Sequence, residues 1–526
     1  MAYTGVKAKI PLGNYGLYTD VSPDQIPPGA LIKAENVSFT NGNVQKAPGT
    51  IKWNATAVSA GIIAAYHWKP DSTTERFIVA TSDGNIYKGR DRTFGDPINS
   101  TIASAFTPNC VFVEGGSELS TSAKKLFFFT DGRTNPYVLS GDGSGFGVIT
   151  NPSSDWTSPA TYPKFGLIHR DRLWAFIGQQ SYASNTTNHE NFATGHLTEA
   201  VYPGEGGELR GGFVFKGRLI VFKQGGFAYM LNDQDVSTSN WYWQKIASNF
   251  GLSAPNAIAE VLDDLMSGNN AGTITSYAAS EKLGSIEAGD IIQELQFETH
   301  LRGKAGRSGN DVQHMLYYAE KKLLFVTYRT GHYTYNNMLL VLDFGRRDVV
   351  RPAYWLKGYP TCLALFEDIN HINRPMYGDK DGFLHIMDRE DRNEAGTAYT
   401  GDFQIASTDF SYMDPKLSSA EKHFDFLAIH YVPESSGDLS CDYFIDGRYI
   451  ETITFPMIQY LNPKLGVFTL GTDRLAQANT ETTIRPIAGS GRTFSARLYN
   501  AASNKSFQIT SLTVFFRGGS EKAQQV

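Results

Sequence analysis

The sequence has few cysteines and few charged residues, and it lacks any long hydrophobic run. Its 526 residues include three cysteines, Cys110, Cys362 and Cys441, which form no CxxC pair and no metal-ligand spacing. We expect buried, reduced thiols of a reducing cytosol. Charged residues make up 19% of the chain, below the usual share of about a quarter. No run is long enough for a membrane span, and the first residues lack the apolar stretch of a secretory leader.

Basic tracts are also missing. Lysine and arginine number 47 against 53 acidic residues, which gives a formal net charge of −6. A protein that binds nucleic acid tightly through its phosphates needs a cluster of cations. The composition therefore argues against high-affinity binding of DNA or RNA.

Motifs that carry catalysis or metal binding are not found either. The eleven histidines are scattered, and no HExxH, GxSxG, P-loop or dinucleotide fingerprint follows a strand. Asp379 and Asp381 are spaced like the first two ligands of a calcium loop, but Gly382 comes at the fourth position instead of the sixth, so we expect a hairpin turn there. We predict no enzyme, and no catalytic, cofactor-binding or metal-binding residues.

What the chain has in abundance are turn formers and aromatic residues. There are 51 glycines and 22 prolines, and 27 tyrosines and 33 phenylalanines dominate the apolar set. Aromatic residues are typical of pleated surfaces. This composition predicts an all-β protein.

A short apolar run recurs along the chain and indicates how the strands are organised. Arg172–Ile177 and Arg218–Lys223 are the clearest copies, and each follows a tight polar turn. Runs of this shape are centred near Phe77, Leu126, Leu173, Leu219, Leu265, Leu323 and Met376, with separations of 46 to 58 residues. This period matches a four-stranded β-propeller blade. We predict six to eight blades, because an N-terminal strand could complete the last one.

One segment gives conflicting signals. Residues 254–265 place Ile258, Val261, Leu262 and Leu265 at helical spacing, and this pattern alone favours a helix. Leu265 nevertheless falls on the repeat, 46 residues after Leu219. We expect strands, and we expect long loops at residues 140–160, 181–211 and 303–311.

The pattern changes near residue 400. Five strands with period-two alternation follow, and they predict a β-sandwich. The predicted domains are a Pro- and Gly-rich segment that joins the propeller (1–50), the propeller (51–400), the sandwich (401–520) and a frayed tail (521–526). Within the first segment, Asn41-Gly42 predicts a hairpin turn. We expect Glu35 and Asn36 to stabilise the fold, because polar side chains beside a turn commonly satisfy backbone groups.

Short motifs at both ends of the chain resemble a known family. The motifs at the start are Asp20–Pro23, Ile26–Ala30, Ala34–Val37 and Gly42–Gly49, and those at the end are Lys422–Tyr431, Tyr443–Gly447, Gly491–Phe494 and Leu498–Asn500. In this order they resemble the tail nozzle or hub proteins of short-tailed bacteriophages, also called packaged-DNA stabilisation or tail tubular proteins. The family often has arginine before the Pro-Gly pair, where this chain has Ala47.

The resemblance implies a β-propeller with an accessory β-sandwich, assembled as a ring of six at the distal end of the portal–tail channel. It implies as partners five further copies, a tail adaptor ring, tail fibre or tail needle/plug proteins, and, transiently and without sequence preference, genomic double-stranded DNA. The expected location is the virion tail, after synthesis in the host cytoplasm. A conduit of this kind should have a neutral to acidic lumen, so that DNA slides without being held.

A second hypothesis belongs to a different class. Trp156, Trp241, Tyr242 and Trp243 could stack on sugars, as in a receptor- or glycan-binding propeller of a phage tail, or in a glycosidase. Propeller glycosidases carry Ser-x-Asp-x-Gly-x-x-Trp turns. Ser82-Asp83-Gly84 matches this pattern only weakly and lacks the tryptophan. The alternative for the four aromatic residues is packing between blades.

Overall fold

A computed structural model provides the structure of the chain. It describes residues 5–19, 25–40, 42–71, 74–98, 106–115, 124–141, 143, 145–248, 251–269, 273–277, 289–290, 313–329, 333, 335–346, 349–368, 370–433, 437–457 and 480–518. Residues 20–23, Asn41, the predicted loop 303–311 and the predicted frayed tail lie outside the described residues.

The chain forms two compact units. The first unit contains residues 1–50, 341–357 and 389–526, and the second contains 51–340 and 358–388. The division near residue 389 lies close to the predicted boundary at 400. Residues 1–50 and 341–357, however, group with the C-terminal part of the chain and not with the repeat.

Strands make up nearly all of the regular structure. The strands before the repeat are β1 (Val6–Pro11), β2 (Leu31–Glu35), β3 (Val37–Thr40), β4 (Asn43–Lys46) and β5 (Gly49–Lys52). Among the described residues, two short 3₁₀ helices, Thr238–Asn240 and Pro415–Leu417, interrupt later loops.

The second unit contains the blades of a β-propeller. The first blade is β6 (Ile62–Trp68), β7 (Arg76–Thr81), β8 (Ile86–Arg90) and β9 (Thr93–Pro97); the second is β10 (Val111–Gly115), β11 (Lys125–Phe129), β12 (Tyr137–Ser140) and β13 (Gly145–Val148); the third is β14 (Phe165–His169), β15 (Arg172–Ile177), β16 (Gln180–Ala183) and β17 (Leu197–Ala200). The fourth is β18 (Leu209–Phe215), β19 (Arg218–Lys223), β20 (Phe227–Asn232) and β21 (Tyr242–Ser248), and the fifth is β22 (Ile258–Val261), β23 (Asp264–Gly268), β24 (Ile274–Ser276) and β25 (Gly289–Asp290).

The remaining strands of the repeat follow the fifth blade. They are β26 (His314–Tyr318), β27 (Leu323–Tyr328), β28 (Met338–Asp343), which runs from the second unit into the first, and β29 (Arg351–Trp355), which lies in the first unit. The sixth blade is β30 (Cys362–Glu367), β31 (Asn373–Gly378) and β32 (Leu384–Arg389), with β5 as its fourth strand. In the ring, β26 lies between β22 and β30. The predicted propeller is therefore confirmed. It contains six four-stranded blades, an N-terminal strand completes the last of them, and β26 and its neighbours occupy a further position of the ring as part of a larger sheet.

The recurrent apolar run is the second strand of each sheet. β7, β11, β15, β19, β23, β27 and β31 contain the seven predicted centres. Both faces of these strands are covered, and for that reason their sequences are continuously apolar instead of alternating. Phe128 of β11, for example, is fully buried together with Trp68 and Ile78 of the first blade. The hydrophobic core of this unit thus lies between neighbouring blades.

In the third, fourth and fifth blades, two-residue turns join the first and second strands. Arg170 and Asp171 have φ values of 50° and 54°, and they connect paired residues His169 and Arg172. The conflicting segment has the same design, because Leu262 (φ 57°) and Asp263 connect β22 to β23. The expectation of strands at residues 254–265 is confirmed, and the helical spacing there is coincidental.

Two of the predicted long loops are wrong in part. Residues 140–160 contain β13, and residues 181–211 contain most of β16, all of β17 and the start of β18. The outermost strands of these blades are half exposed, with sequences GFGV and LTEA. Strands that cover little core need few apolar residues, so the sequence pattern did not separate them from loops.

Residues next to β5 tie the first and sixth blades together. Trp53 donates its backbone N–H to Leu384 O at 2.7 Å, and its ring lies 4.3 Å from the ring of Phe77 in the first blade. The side chain of Asn54 accepts a hydrogen bond from Leu384 N and donates one to Gly382 O. These contacts close the ring with a strand that the chain forms before the first blade.

The first unit contains the remaining strands. They are β33 (Gly401–Ile405), β34 (Lys422–Tyr431), β35 (Gly437–Ile445), β36 (Arg448–Met457), β37 (Glu481–Pro486), β38 (Ser490–Gly491), β39 (Phe494–Asn500) and β40 (Gln508–Gly518). One sheet has the order β3-β4-β40-β34-β37, with β1 beside β40 and β38 beside β34. The other sheet has, within this unit, the order β29-β2-β33-β39-β35-β36.

Several details of this unit agree with the sequence. The strands predicted after residue 422 are present, Asp446 and Gly447 form the turn between β35 and β36, and β3 and β4 form a hairpin around residues 41–42. Phe424 of one sheet contacts Phe494 of the other, with ring centroids 5.4 Å apart. A C-terminal β-sandwich stays a prediction, because N-terminal strands and β29 share these sheets.

Candidate functional site

A cavity of about 580 Å³ lies among the first strands of the propeller. Its lining comes mainly from β6, β10, β26 and β30, and includes Tyr66, His67, Lys69, Cys110, Phe112, Glu114, Lys124, Asn256, His314, Leu316, Leu365 and Glu367. A second cavity of about 400 Å³ shares Tyr66, Phe112, Glu114, Asn256, His314 and Leu363 with it. We call the two together the axial cavity. All of its lining residues belong to the second unit.

Charged side chains in the axial cavity occur in opposite-sign pairs. Lys69 Nζ lies 3.1 Å from a carboxylate oxygen of Glu367, and Lys124 Nζ lies 2.7 Å from one of Glu114. His371 and Lys69 both contact Glu367 and hold the pKa of its carboxyl below the usual value. The lysines and carboxylates that line the cavity therefore balance each other.

Tyr66 and Glu114 form the polar centre of one wall. Burial and the neighbouring Glu114 carboxylate both raise the pKa of the Tyr66 hydroxyl, so this hydroxyl stays protonated and can donate a hydrogen bond. The ring of Phe112 lies 6.3 Å from the ring of Tyr66, measured between centroids. This wall thus combines two aromatic faces with a carboxylate.

Two histidines line the cavity, and both are fixed by hydrogen bonds. His314 is buried, its Nε2 lies 3.0 Å from Pro108 O, and burial lowers its pKa to about 4, so it is neutral at pH 7. His67 accepts a hydrogen bond at Nδ1 from Glu367 N at 3.3 Å, and its Nε2 consequently carries the proton that faces Glu75. Burial lowers the pKa of His67 despite the nearby Glu75.

The cysteines are buried and unpaired, as predicted. Burial raises the pKa of the Cys110 and Cys362 thiols to about 12. A thiol of such high pKa is a poor nucleophile at neutral pH. Cys110 therefore contributes to the cavity wall as an apolar residue.

The sequence did not single out the axial cavity. Tyr66, Glu114 and His314 lie on first strands, whereas the repeat was recognised from the second strands. Their polar character gave no motif, because the residues come from three blades that are distant in sequence. The usable signal was the position of polar residues in the strand before each apolar run, since that strand faces the centre of a propeller.

The hairpin turn predicted around Asp379–Gly382 is present. Asp379 forms a hairpin turn, in which its carboxylate accepts backbone hydrogen bonds from Asp381 and Phe383 and lies 2.8 Å from His385 Nε2. Within the described ranges, no group of three or more histidines, cysteines or carboxylates is arranged for a metal ion. The described chain also contains no helix that is both long and apolar enough to cross a membrane.

The aromatic residues considered for sugar stacking separate into two groups. Trp156 and Trp243 are each only about 4% exposed, and Trp243 packs edge-on against Trp174, which confirms core packing for these two. The Trp241 indole donates a hydrogen bond to Asp235 O. Tyr242 is 52% exposed, and Asn232 donates a hydrogen bond to its hydroxyl.

A second candidate region lies in the first unit, which contains the described motif residues of both ends of the chain. Asn36 has φ 52°, and its carboxamide oxygen accepts hydrogen bonds from Leu356 N (2.7 Å) and Lys357 N (3.2 Å). Its Nδ2 donates to Thr400 O at 2.8 Å, and its backbone carbonyl accepts from Ala47 N. Asn36 therefore joins the segment around Ala47 to residues 356–357 and to Thr400, which are more than 300 residues away in the sequence.

A buried ion pair helps to fix the N-terminal hairpin within the same unit. Arg351 lies 3.0 Å from Asp343, and its guanidinium donates hydrogen bonds to Gly13 O and Phe39 O. Both partners are buried, so each charge depends on the other. The N-terminal hairpin is thus fixed to residues 343–357 by side-chain contacts as well as by strand pairing.

The chain matches no known protein-family model, and no curated protein sequence matches it.

Proposed function

We propose that this chain is a structural virion protein, a homohexameric tail nozzle that closes and then conducts the DNA ejection channel of a short-tailed bacteriophage. In this role it sits below the portal and adaptor, contacts tail fibre or tail needle/plug proteins, and meets genomic DNA only transiently. It has no catalytic role. The protein is made in the host cytoplasm and functions in the virion tail.

The observation that carries the proposal is the grouping of the family-like motifs in one unit. Ala34 of the N-terminal motifs pairs with Phe403 of β33, and Phe403 pairs in turn with Leu498 of the C-terminal motif Leu498–Asn500. Val44 pairs with Ile509. Motifs that only punctuated two independent domains would have no reason to meet. Their association supports the view that they belong to one inherited assembly unit.

Charge supports the same role. A conduit must let phosphates pass, because each cation bound to a phosphate has to be released as the DNA moves. The net charge of −6 and the absence of a basic tract suit such a surface. A ring also needs only one heterologous interface, repeated around the axis.

The rival proposal, a receptor- or glycan-binding propeller or a glycosidase, rested on four aromatic residues in loops. Two of these, Trp156 and Trp243, lie in blade cores. The nozzle proposal requires no catalytic residues. We therefore favour the structural role.

Electron microscopy of the purified protein, alone and mixed with tail components, tests the proposal. We expect six-fold rings that stack on the adaptor ring. A gel-shift titration at about 150 mM salt, near the physiological ionic strength at which the Debye length is about 8 Å, tests the conduit. Weak binding of duplex DNA without sequence preference is expected. Submicromolar affinity, or particles without six-fold symmetry, would refute the nozzle.

A further inference from the structure

The axial cavity has the dimensions of a small-molecule site. Its two parts measure about 580 and 400 Å³ and share six lining residues. Binding sites for small molecules commonly occupy about 300–1,000 Å³. Nothing in the proposed role as a nozzle uses this cavity, since that role depends on a channel formed by six chains.

The charges of the lining determine which guests it accepts. Lys69 and Lys124 already contact Glu367 and Glu114, and His314 is buried and neutral. An anionic guest would have to displace Glu367 or Glu114 from a lysine. A cationic guest would have to displace Lys69 or Lys124 from a carboxylate. An apolar guest would remove water from carboxylates and ammonium groups without replacing their hydrogen bonds, which is costly. The lining therefore favours a neutral guest that is rich in hydrogen-bonding groups.

The walls add a second requirement. Tyr66 and Phe112 are half-buried, and their ring planes are inclined at 47°. Aliphatic side chains of Leu316 and Leu365 lie in the same lining. Flat apolar faces beside carboxylates and an amide suit a guest with apolar C–H faces and hydroxyl groups at its rim.

We propose that the axial cavity binds a neutral saccharide of one or two rings. The rings of Tyr66 and Phe112 contact the C–H faces of the sugar, while the Tyr66 hydroxyl, Glu114, Glu367 and Lys69 exchange hydrogen bonds with its hydroxyl groups. Asn256 lies at the junction of the two cavities, where its Nδ2 donates to Cys110 O at 3.2 Å. No bond is made or broken.

Saturation-transfer NMR on the full chain tests this proposal. The probes are glucose, galactose, mannose, N-acetylglucosamine, lactose and maltose, with glucuronate and glucosamine as charged counterparts. At about 10 mM sugar, a site with a Kd near 1 mM is about nine-tenths occupied. We expect at least one neutral sugar to bind, and its charged counterpart to bind at least tenfold more weakly.

Two variants locate the site. Tyr66→Phe removes only a hydroxyl, and we expect a loss of affinity of about fivefold, which corresponds to one hydrogen bond of about 1 kcal/mol. Tyr242→Phe is the matched control, because it removes an exposed hydroxyl outside the cavity, and its affinity should stay unchanged. If Tyr66→Phe perturbs folding, Glu367→Gln with the same readout replaces it.

Three results would overturn the proposal: no binding across the panel, tighter binding of the charged counterparts, or equal affinity of Tyr66→Phe and wild type with Glu367→Gln also unchanged. The particle mass measured on the same sample keeps this proposal separate from the nozzle. A hexamer that binds no sugar refutes only the cavity, and a monomer that binds sugar refutes only the nozzle.

Discussion

The two units of this protein are built from contacts of different range. In the second unit, most blades come from consecutive strands, and the first blade lies entirely within residues 62–97. In the first unit, Val6 pairs with Phe516 and Leu31 pairs with Ile405. Local contacts leave a repeating pattern in the sequence, whereas distant ones do not. Sequence periodicity therefore reveals the second unit, whereas short motifs are the signal of the first.

The propeller also contains one long-range closure, and it gives the largest expected effect. Trp53, about 5% exposed, contacts Phe77 and Phe94 of the first blade, while its N–H bonds to the sixth. We expect Trp53→Ala to destabilise the second unit by about 3–5 kcal/mol, the usual cost of truncating a buried tryptophan. Urea denaturation followed by far-UV circular dichroism measures it.

Tyr242→Ala provides the control for this prediction. Tyr242 is 52% exposed on β21, and its removal should change the free energy of unfolding by less than about 0.5 kcal/mol. Equal effects of the two substitutions would mean that the closing contacts contribute no more than an exposed side chain, contrary to the geometry.

The corresponding contact in the first unit is Asn36. Asn36→Ala leaves the N–H groups of Leu356 and Lys357 without their acceptor and places alanine at φ 52°. We expect a loss of about 3 kcal/mol, because unsatisfied buried groups cost about 1–3 kcal/mol each. Thermal unfolding should show it, with assembly impaired only as a consequence.

Glu35→Ala sharpens this result. The Glu35 carboxylate lies 3.3 Å from the ammonium group of the partly exposed Lys33, so folding should be impaired by about 1 kcal/mol or less. For both residues we expect any loss of assembly to follow from reduced stability. Unchanged melting temperatures combined with lost assembly would show instead that these residues act at an interface.

The two units should also differ in their response to pH. His314 in the second unit has a pKa lowered to about 4 by burial, so the unfolded chain, with an ordinary value near 6.5, binds the proton more tightly. Stability is therefore lost as pH falls from about 6.5 to 4, by about 2–3 kcal/mol. His314→Gln should flatten this part of the curve, as measured by urea denaturation at each pH.

Lys46 in the first unit acts in the opposite range. Burial, together with the nearby Arg392, lowers its pKa to about 8 from an ordinary 10.5. Its contribution is unfavourable below pH 8, and stability rises as pH increases from 8 to 10.5. The difference between wild type and Lys46→Met isolates this effect. A difference that does not vary across that range would contradict the assignment.

The smallest effect should come from an exposed ion pair. Arg517 donates two hydrogen bonds to Asp425, at 2.9 and 2.6 Å, on the surface of the first unit. Arg517→Ala should cost about 0.5 kcal/mol and less at high salt, because solvent screens exposed pairs. A chemical denaturation at low and high salt checks this, and a cost above about 2 kcal/mol would mean that the pair supports a buried contact.

How much the sequence could predict follows from the same contrast. The second strands carry continuous apolar runs because both faces are covered, so Leu173 and Leu219 were sufficient to establish the period. The outer strands β13 and β17 cover little core, so their sequences resemble those of loops. Tyr66, Glu114 and His314 of the axial cavity are brought together only when the ring closes, so they form no motif, and their one signal is the position of polar residues in the strand before each apolar run.

The first unit shows the complementary limit. The pairing of Leu31 with Ile405 depends on how the whole chain folds, and composition carries no trace of it. The N-terminal segment was therefore assigned to the propeller, although only β5 and the residues after it complete a blade. The hydrogen bonds of Asn36 to backbone groups agree with the expectation that it stabilises the fold, and the effect of its substitution stays a prediction.

The most direct test of the proposed nozzle is the mass of the purified protein in solution. Multi-angle light scattering on the eluting peak should give about 348 kDa, six times the 58.0 kDa chain. The value should persist on dilution, as expected for a closed ring. A monomer of 58.0 kDa or a trimer would contradict the nozzle and, if it also bound glycans, would favour the receptor-binding propeller.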